Sequence, residues 1–450
     1  MTIRSALVSA MLVATVGSAP RPPASALTNA LDSYLIARVA HRTFSGVVLV
    51  ARDDRVLFER AYGDADYEAN VPNGTATIFR IASMTKPLVA TAALALAARG
   101  TLRLDASICS LLDSCPPGWD RVTVANLLQL SSGIPDAFDR VAAVPPASLP
   151  DAVNAAIAQI GPEKLRPAFT PGSKSEYSNF DYLLLGYALA RAMRESWLAV
   201  LQQTLLTPAS MNATQYDDPW RVIPGRARGY RVENGELKNT KYEDDGALSA
   251  GGLLSTARDL LRFLQIFQTD RIAPAPLRAE ALTPNAQGFG YGWQIAQFFG
   301  KTAIDFTGGT NGFSSNFSYY PADRLSVIVL SNIENAGAKG LSCDVGAIVH
   351  GIAPRNRAFS FAAVSAAAAA SVAGTYASAD GTLRKLIAGA DGLTYQSSNS
   401  PAPQPLLGNG DRSYVLAEHP DVVIDVSSDA GQISVTSCGQ ALFTGKRLPA

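Results

Sequence analysis

Apolar and polar positions divide the chain into stretches of different period. Leu27 to Ala40 is amphipathic and reads as a helix. Ser45 to Ala51 and Arg55 to Glu59 are β-rich runs split by Asp53-Asp54, a hairpin pattern. Gly63 to Thr77 is rich in turn residues. Leu88 to Ala98 is apolar nearly all round, which predicts a buried helix stopping at Gly100. From Leu104 to Leu261 the pattern is helices and loops. Helices are predicted at Val122–Leu130, Pro150–Ile160, Phe180–Met193 and Trp197–Leu206, with another from an N-cap at Ser255 through Phe267. The β pattern returns over Phe289–Ile295, Thr302–Phe306, Gly312–Tyr320 and Arg324–Leu330, before a helix at Ala336–Val349.

Two strands at the front and several at the back thus bracket a helical middle. The expected fold class is α+β, with one antiparallel sheet built from both chain ends and flanked by helices. Phe359 to Ala373 is Ala-rich and reads as a helical connector. Beyond Gly374, short β-rich runs split by Gly, Asp and Asn predict a small all-β sandwich or barrel. The expected boundaries are 1–26, 27–356, 357–372 and 373–450.

Composition narrows the function classes. At 450 residues the chain exceeds one domain of about 100–200 residues. It is 47% apolar and 17% charged, with formal net charge zero, which fits a large core and offers no basic field for nucleic acid or acidic membranes. Arg4, an apolar run from Ala6 to Val16, and Ala24-Ser25-Ala26 form a signal-peptide pattern over 1–26, so the mature chain is expected in the periplasm or outside the cell. The apolar run is too short for an ordinary membrane span. Four cysteines in an exported chain point to disulfides. Cys109 and Cys115 flank a short loop and are the expected pair. Cys343 and Cys438 can pair only if the C-terminal region folds back on the main body. No cysteine or histidine has metal-site spacing, so neither metal nor cofactor is expected.

The candidate chemistry starts at Ile81-Ala82-Ser83-Met84-Thr85-Lys86-Pro87. A serine at a helix start is ordinarily an N-cap. Here Lys86 lies one helical turn on, so its amine can share a face with the Ser83 hydroxyl. A lysine at the mouth of a buried helix is easily desolvated, which favours its neutral, basic form, and a serine beside a base is an activated nucleophile. Tyr177-Ser178-Asn179 precedes the apolar helix at Phe180. A tyrosine there is ordinarily a packed core residue, but beside a lysine its phenol can relay protons. Asn179 reads equally as a helix N-cap or as a partner of Lys86 and a substrate amide. Thr307-Gly308-Gly309 ends a strand; such a pair is most often a turn, but it also lets substrate approach and aims a backbone N–H at an oxyanion.

Together and in this order, these three segments resemble the serine β-lactamase and penicillin-binding protein superfamily, most closely its class C-like branch. Leu127 to Asp136, Phe169 to Gly172, Tyr182 to Gly186, Ser249 to Thr256 and Gly312 to Ser315 add to the resemblance, which covers Leu27 to Gly351. It implies a two-layer α/β core with an all-helical subdomain. Ser83 would form an acyl-enzyme, Lys86 and Tyr177 would share the base role, and Asn179 would orient Lys86 and substrate. Phe306, Thr307 and Gly308 would border the substrate, and the N–H groups of Ser83 and Gly309 would form the oxyanion hole. The substrate would be a small molecule, peptide or ester, and the C-terminal part resembles the lipocalin-like appendage of some relatives.

Two departures from the family pattern stand out. Relatives usually carry Lys or His at the position of Phe306, where a cation can attract a substrate carboxylate. Its loss favours esters, amides or apolar acyl groups over β-lactams, and leaves a non-catalytic binding protein as the alternative. Leu130 replaces a common His and reads as a packing change. A Ser-His-Asp hydrolase is disfavoured, because His41, His350 and His419 are the only histidines and no G-x-S-x-G elbow occurs.

Overall fold

The computed structural model describes residues 24–449, except 234, 242–246, 355–362, 391, 398–401 and 418–420. The signal-peptide pattern up to residue 23 and the start of the Ala-rich connector lie outside the described residues.

Helix α1 (Ala24–Ala40) leads to β1 (Gly46–Arg52) and β2 (Arg55–Tyr62), then to the short strands β3 (Asp64–Asp66), β4 (Val71–Pro72) and β5 (Phe79–Arg80). A 3-10 turn, Ala82–Met84, opens helix α2 (Thr85–Ala98). The helical middle holds α3 (Val124–Leu128), α4 (Leu149–Ile160), α5 (Asn179–Met193) and α6 (Trp197–Leu201). Next come β6 (Gln215–Tyr216), the hairpin of β7 (Tyr230–Glu233) and β8 (Glu236–Asn239), α7 (Leu248–Gly251), β9 (Leu253–Ser255), α8 (Ala257–Phe267) and α9 (Ala275–Ala281). The chain returns to the sheet through β10 (Gln294–Phe298), β11 (Lys301–Thr310), β12 (Phe313–Tyr320) and β13 (Leu325–Ser331), followed by α10 (Ala338–Val349) and α11 (Ala366–Val372).

The main sheet has the order β10-β11-β12-β13-β1-β2. Its seam is the antiparallel pair β1–β13, where Val48 faces Val329 and Leu49 faces Ile328, so the two ends of the domain meet in adjacent central strands. Both strands are apolar at nearly every position because both faces of the sheet are covered. Val47, Leu49, Ile328 and Leu330 join the large core shared with the helical middle. Val48, Val50, Val327 and Val329 join a second core with Leu31, Leu35, Leu341 and Val345 of α1 and α10. The period of two deals alternate side chains to the two layers, and each fully buried Val, Leu or Ile contributes about 1.5–3 kcal/mol.

The predicted elements shift where pairing overrides local signals. Ser255 is the last residue of β9 rather than a cap, because β9 pairs with β5 and β6. Thr256 caps α8 instead, accepting from the Asp259 N–H, while the Ser255 hydroxyl bonds that of Thr214 at 2.8 Å. The predicted Trp197–Leu206 helix loosens after Leu201 into a π turn over Gln202–Leu206.

The C-terminal strands, β14 (Gly374–Ala377) through β21 (Gln440–Arg447), close into an eight-stranded barrel. Tyr376, Leu386, Leu406, Ile424 and Val435 help to fill it. The barrel does fold back on the main body. Cys438 is bonded to Cys343 of α10, and its carbonyl accepts from the Phe299 N–H at 3.1 Å. Cys109 and Cys115 form the second disulfide, as expected.

The Cys343–Cys438 bridge closes a loop across 95 positions. Its removal frees much entropy in the unfolded chain. The double variant Cys343→Ser/Cys438→Ser is expected to lose about 2–4 kcal/mol of stability, measured as a lower urea midpoint. An unchanged midpoint would show that the non-covalent barrel contacts suffice.

Candidate active site

The site is built around the turn between β5 and α2. Ala82 has φ 45°, in the left-handed region that non-glycine residues seldom enter. Such a residue costs about 1–3 kcal/mol and persists only where its surroundings hold it. Here they hold Ile81. Its N–H donates to the Leu253 carbonyl at 3.0 Å. Its own carbonyl accepts from the Met84 N–H at 3.1 Å and from the Ser315 hydroxyl at 3.0 Å. Strand β11 presses on the same carbonyl, since a Cβ at position 308 would stand 2.0 Å from it. Gly308 is therefore required by the close approach of strand and turn.

Held this way, Ser83 does not cap α2, whose start has no side-chain cap. Its hydroxyl instead accepts from Lys86 Nζ at 3.1 Å and from the Tyr177 hydroxyl at 2.7 Å. Lys86 is fully buried, whereas Tyr177 is 47% exposed at the mouth. Lys86 Nζ also donates to Asn179 Oδ1 and to the Ala250 carbonyl, both at 2.7 Å. It lies 4.8 Å from the centre of the Tyr177 ring.

Asn179 can serve Lys86 because other groups cap α5. Ser178 is the N-cap, its hydroxyl accepting from the Asp181 N–H at 3.2 Å. The Asp136 carboxylate accepts from the N–H groups of Asn179 and Phe180 at 3.0 and 3.1 Å, a favourable place for a negative charge. Below it the Ser132 hydroxyl donates to Asp181 Oδ1 at 2.6 Å. Burial pushes the Asp181 carboxyl well above the usual carboxylate range; the bond from Ser132 opposes the shift, and the neighbouring Asp136 charge adds to it.

A cleft of about 100 Å³ opens over Ser83, between Asn179, Phe138 and Ala250 on one side and Gly309 and Thr310 on the other. Gly309 is exposed, and a Cβ there would meet nothing within 4 Å, so its backbone edge is open. The structure thus brings Ser83, Lys86, Tyr177, Asn179 and Gly309 together. Phe306 lies apart: it is buried in the main core and does not line the cleft. The Thr307 hydroxyl accepts from Asn316 Nδ2 at 2.9 Å. His350 is likewise occupied elsewhere, between the Gly346 carbonyl and Asp323. Three contributors escaped the reading of the motifs: the Ala250 carbonyl, Asp136 and Asp181. Ala250 and Asp136 lie in stretches that had drawn notice, but a backbone acceptor has no residue-type signature.

Comparison with known proteins adds to this geometry. A family model described as Beta-lactamase matches residues 31–345. Penicillin-binding protein 4* of Bacillus subtilis (strain 168) is 30% identical over 314 residues, 65% of this chain and 68% of that protein. Esterase EstB of Burkholderia gladioli is 28% identical over 376 residues, 70% of this chain and 93% of that protein. The octameric penicillin-binding protein homologue from Pyrococcus abyssi superposes with a TM-score of 0.68 at 21% identity, covering 91% of this chain and 98% of that one. At that identity the last likeness is one of fold.

The raised Asp181 carboxyl gives a pH signature. The native state retains a proton that the unfolded chain releases above about pH 4, so this group's contribution to stability falls as pH rises from there toward its folded pKa. Asp181→Asn keeps an acceptor for Ser132 but does not titrate. Its stability relative to the parent is expected to increase between pH 4.5 and pH 8, measured by urea unfolding. Parallel pH profiles would show that Asp181 is ionised in the fold.

Proposed function

The chain belongs to the β-lactamase family and is a serine hydrolase, and on that premise we propose that it works through an acyl-enzyme on Ser83. The observation that carries this reading is the double hold on one oxygen: Ser83 Oγ takes hydrogen bonds from both Lys86 Nζ and the Tyr177 hydroxyl. Lys86 and Tyr177 share the base role. The pair takes the Ser83 proton over the 3.1 and 2.7 Å contacts as Oγ attacks the carbonyl carbon. The N–H groups of Ser83 and Gly309 receive the oxyanion; one such donor is worth about 10²–10³ in turnover. Tyr177 returns the proton to the leaving atom, and the acyl group stays on Ser83. Water repeats the sequence, giving its proton to Tyr177 and releasing the acid.

The substrate class follows from Phe306. An apolar side chain turned into the core leaves that strand position without a cation, so a carboxylate on the leaving side gains no partner there. Esters and amides of small acids fit this better than β-lactams, and the resemblance to an esterase supports the same choice. Two disulfides support an oxidising compartment and hence export.

A fluorophosphonate probe is expected to label Ser83 in the folded chain and to leave Ser83→Ala unlabelled. No labelling, or equal labelling of both, would sink the acyl-enzyme reading. In a substrate panel, kcat/KM for a short-chain 4-nitrophenyl ester should exceed that for a chromogenic cephalosporin by about tenfold or more, the worth of one lost charged contact. The reverse order would refute the argument from Phe306.

A further inference from the structure

Tyr177 stands on irregular backbone. Residues 174–178 lie in neither helix nor strand. The ring is half exposed, so packing alone does not fix it. Among the described residues the phenol bonds Ser83 alone. Its place must therefore be set through the chain that leads to it. One side of that chain is tied to the end of α3: the Glu176 N–H donates to the Leu130 carbonyl at 3.0 Å, and the Ser175 hydroxyl donates to the Gln129 carbonyl at 2.9 Å. The Ser175 N–H goes elsewhere. It donates to Oε1 of Gln287, in the loop between α9 and β10, at 3.1 Å. Ser175 is buried, while Gln287 is exposed.

That loop is itself held firmly. Asn285 Oδ1 accepts from the N–H groups of Gln287 and Phe289 at 3.0 and 3.1 Å, which fixes the backbone beneath Gln287. Asn285 Nδ2 crosses to the Ser175 hydroxyl at 2.6 Å. Further on, the Gly292 N–H donates to the Leu128 carbonyl at 3.0 Å. A Cβ at Gly292 would stand 2.4 Å from the Ala90 Cβ and 3.4 Å from the Pro87 Cα, so the loop is wedged against the helix that carries Lys86. One loop thus touches both limbs of the proton relay, α2 on one side and the approach to Tyr177 on the other.

We propose that Gln287 is a positioning residue for the proton relay: its side-chain oxygen holds the segment before Tyr177, and so keeps the phenol within reach of Ser83 and of the leaving atom. Ser175 precedes Tyr177 by two residues, so their Cα atoms are at most about 7 Å apart. A backbone N–H deprived of its acceptor in a buried stretch must find another, and the chain shifts to do so. Such a shift passes directly to Tyr177. Among the described residues the Gln287 side chain makes no other hydrogen bond, so its removal acts through Ser175 alone. Displacement by about 1 Å is enough to cost a large factor in rate. This inference rests on the acyl-enzyme reading.

The test uses the full chain and two esters of one acid, benzyl butyrate and 4-nitrophenyl butyrate. Benzyl alkoxide needs a proton as it departs, whereas 4-nitrophenolate leaves as a stable anion. Gln287→Ala is expected to lower kcat/KM by about tenfold or more for the benzyl ester and by about threefold or less for the nitrophenyl ester. Gln287→Glu keeps an acceptor for the Ser175 N–H and should restore both values. Gln297→Ala, which removes a surface bond to the Thr302 hydroxyl on β10–β11, should match the parent. Parent-like rates in Gln287→Ala, an equal loss on both esters, or no rescue by Gln287→Glu would overturn the proposal. If the parent turns over neither ester, the acyl-enzyme reading fails separately, and amide hydrogen exchange decides. Exchange at Ser175 about tenfold faster in Gln287→Ala, with Gln287→Glu like the parent, supports the hold on this segment; unchanged exchange in Gln287→Ala refutes it.

Discussion

A buried lysine nitrogen has to be met by oxygen atoms, and the domain is arranged to supply them to Lys86. A buried donor left unpaired costs about 1–3 kcal/mol. Ser83 answers from the same helical turn, Asn179 from the start of α5, and Ala250 from α7 by way of its carbonyl. These positions are remote in sequence and converge only because α2, α5 and α7 pack together in the large core. The constraint runs both ways. Losing the oxygen at Asn179 would leave an N–H unsatisfied in the interior, so the stability of the helical middle and the chemistry of the cleft rest on one set of contacts. That helps to explain why capping of α5 falls to Ser178 and Asp136. Asn179 is then free to bond sideways.

The sheet provides the other half of the site through rigidity. β11 is paired with β10 from Lys301 to Asp305 and with β12 from Ile304 to Thr310, so the sheet resists its displacement where Gly308 meets the Ile81 carbonyl. The turn carrying Ala82 is thus clamped between β9 and β11, and its left-handed residue is sustained by that clamp. Strain at Ala82 aims Ser83 at the cleft rather than along the axis of α2. A side chain at Gly308 would have to move either the strand or the turn, and the strand is the stiffer partner. Beneath it, Asp305 is buried among Asn316 and Ser318, with its carboxyl raised by burial. Asn316 reaches Asp305, the Phe306 carbonyl and the Thr307 hydroxyl together, which ties the strand beside the cleft to β12.

How far the sequence could be read depended on the range of each interaction. Ser83 and Lys86 are one turn apart on one helix, so their meeting is a local property. The order of Tyr177, Asn179 and Gly309 could be placed beside them only through resemblance, because no propensity brings three distant segments together. The two-sided burial of β1 and β13 was visible as unbroken apolar runs. The cap at Ser255 misled because Ser255 and Thr256 are both good caps, and strand pairing of β9 chose between them. Phe306 shows a different limit. Its position on β11 was legible, but whether a strand residue faces a cleft or a core depends on what covers that face. The Ala250 carbonyl left no trace at all, since every residue carries one.

Charge carries the same lesson at longer range. A net charge of zero offers no overall basic field for a polyanion, yet it says nothing about how cations are shared locally. Arg80 belongs to β5, while Arg226 and Arg228 follow a long excursion through the helical middle; no basic run marks them in the sequence. The fold brings them together through β5, whose neighbour Ile78 bridges Arg226 while the Ala227 N–H donates to the Ile78 carbonyl at 2.9 Å. That pairing draws the two later arginines to the strand that leads into the Ser83 turn, by backbone contacts that no local charge pattern announces.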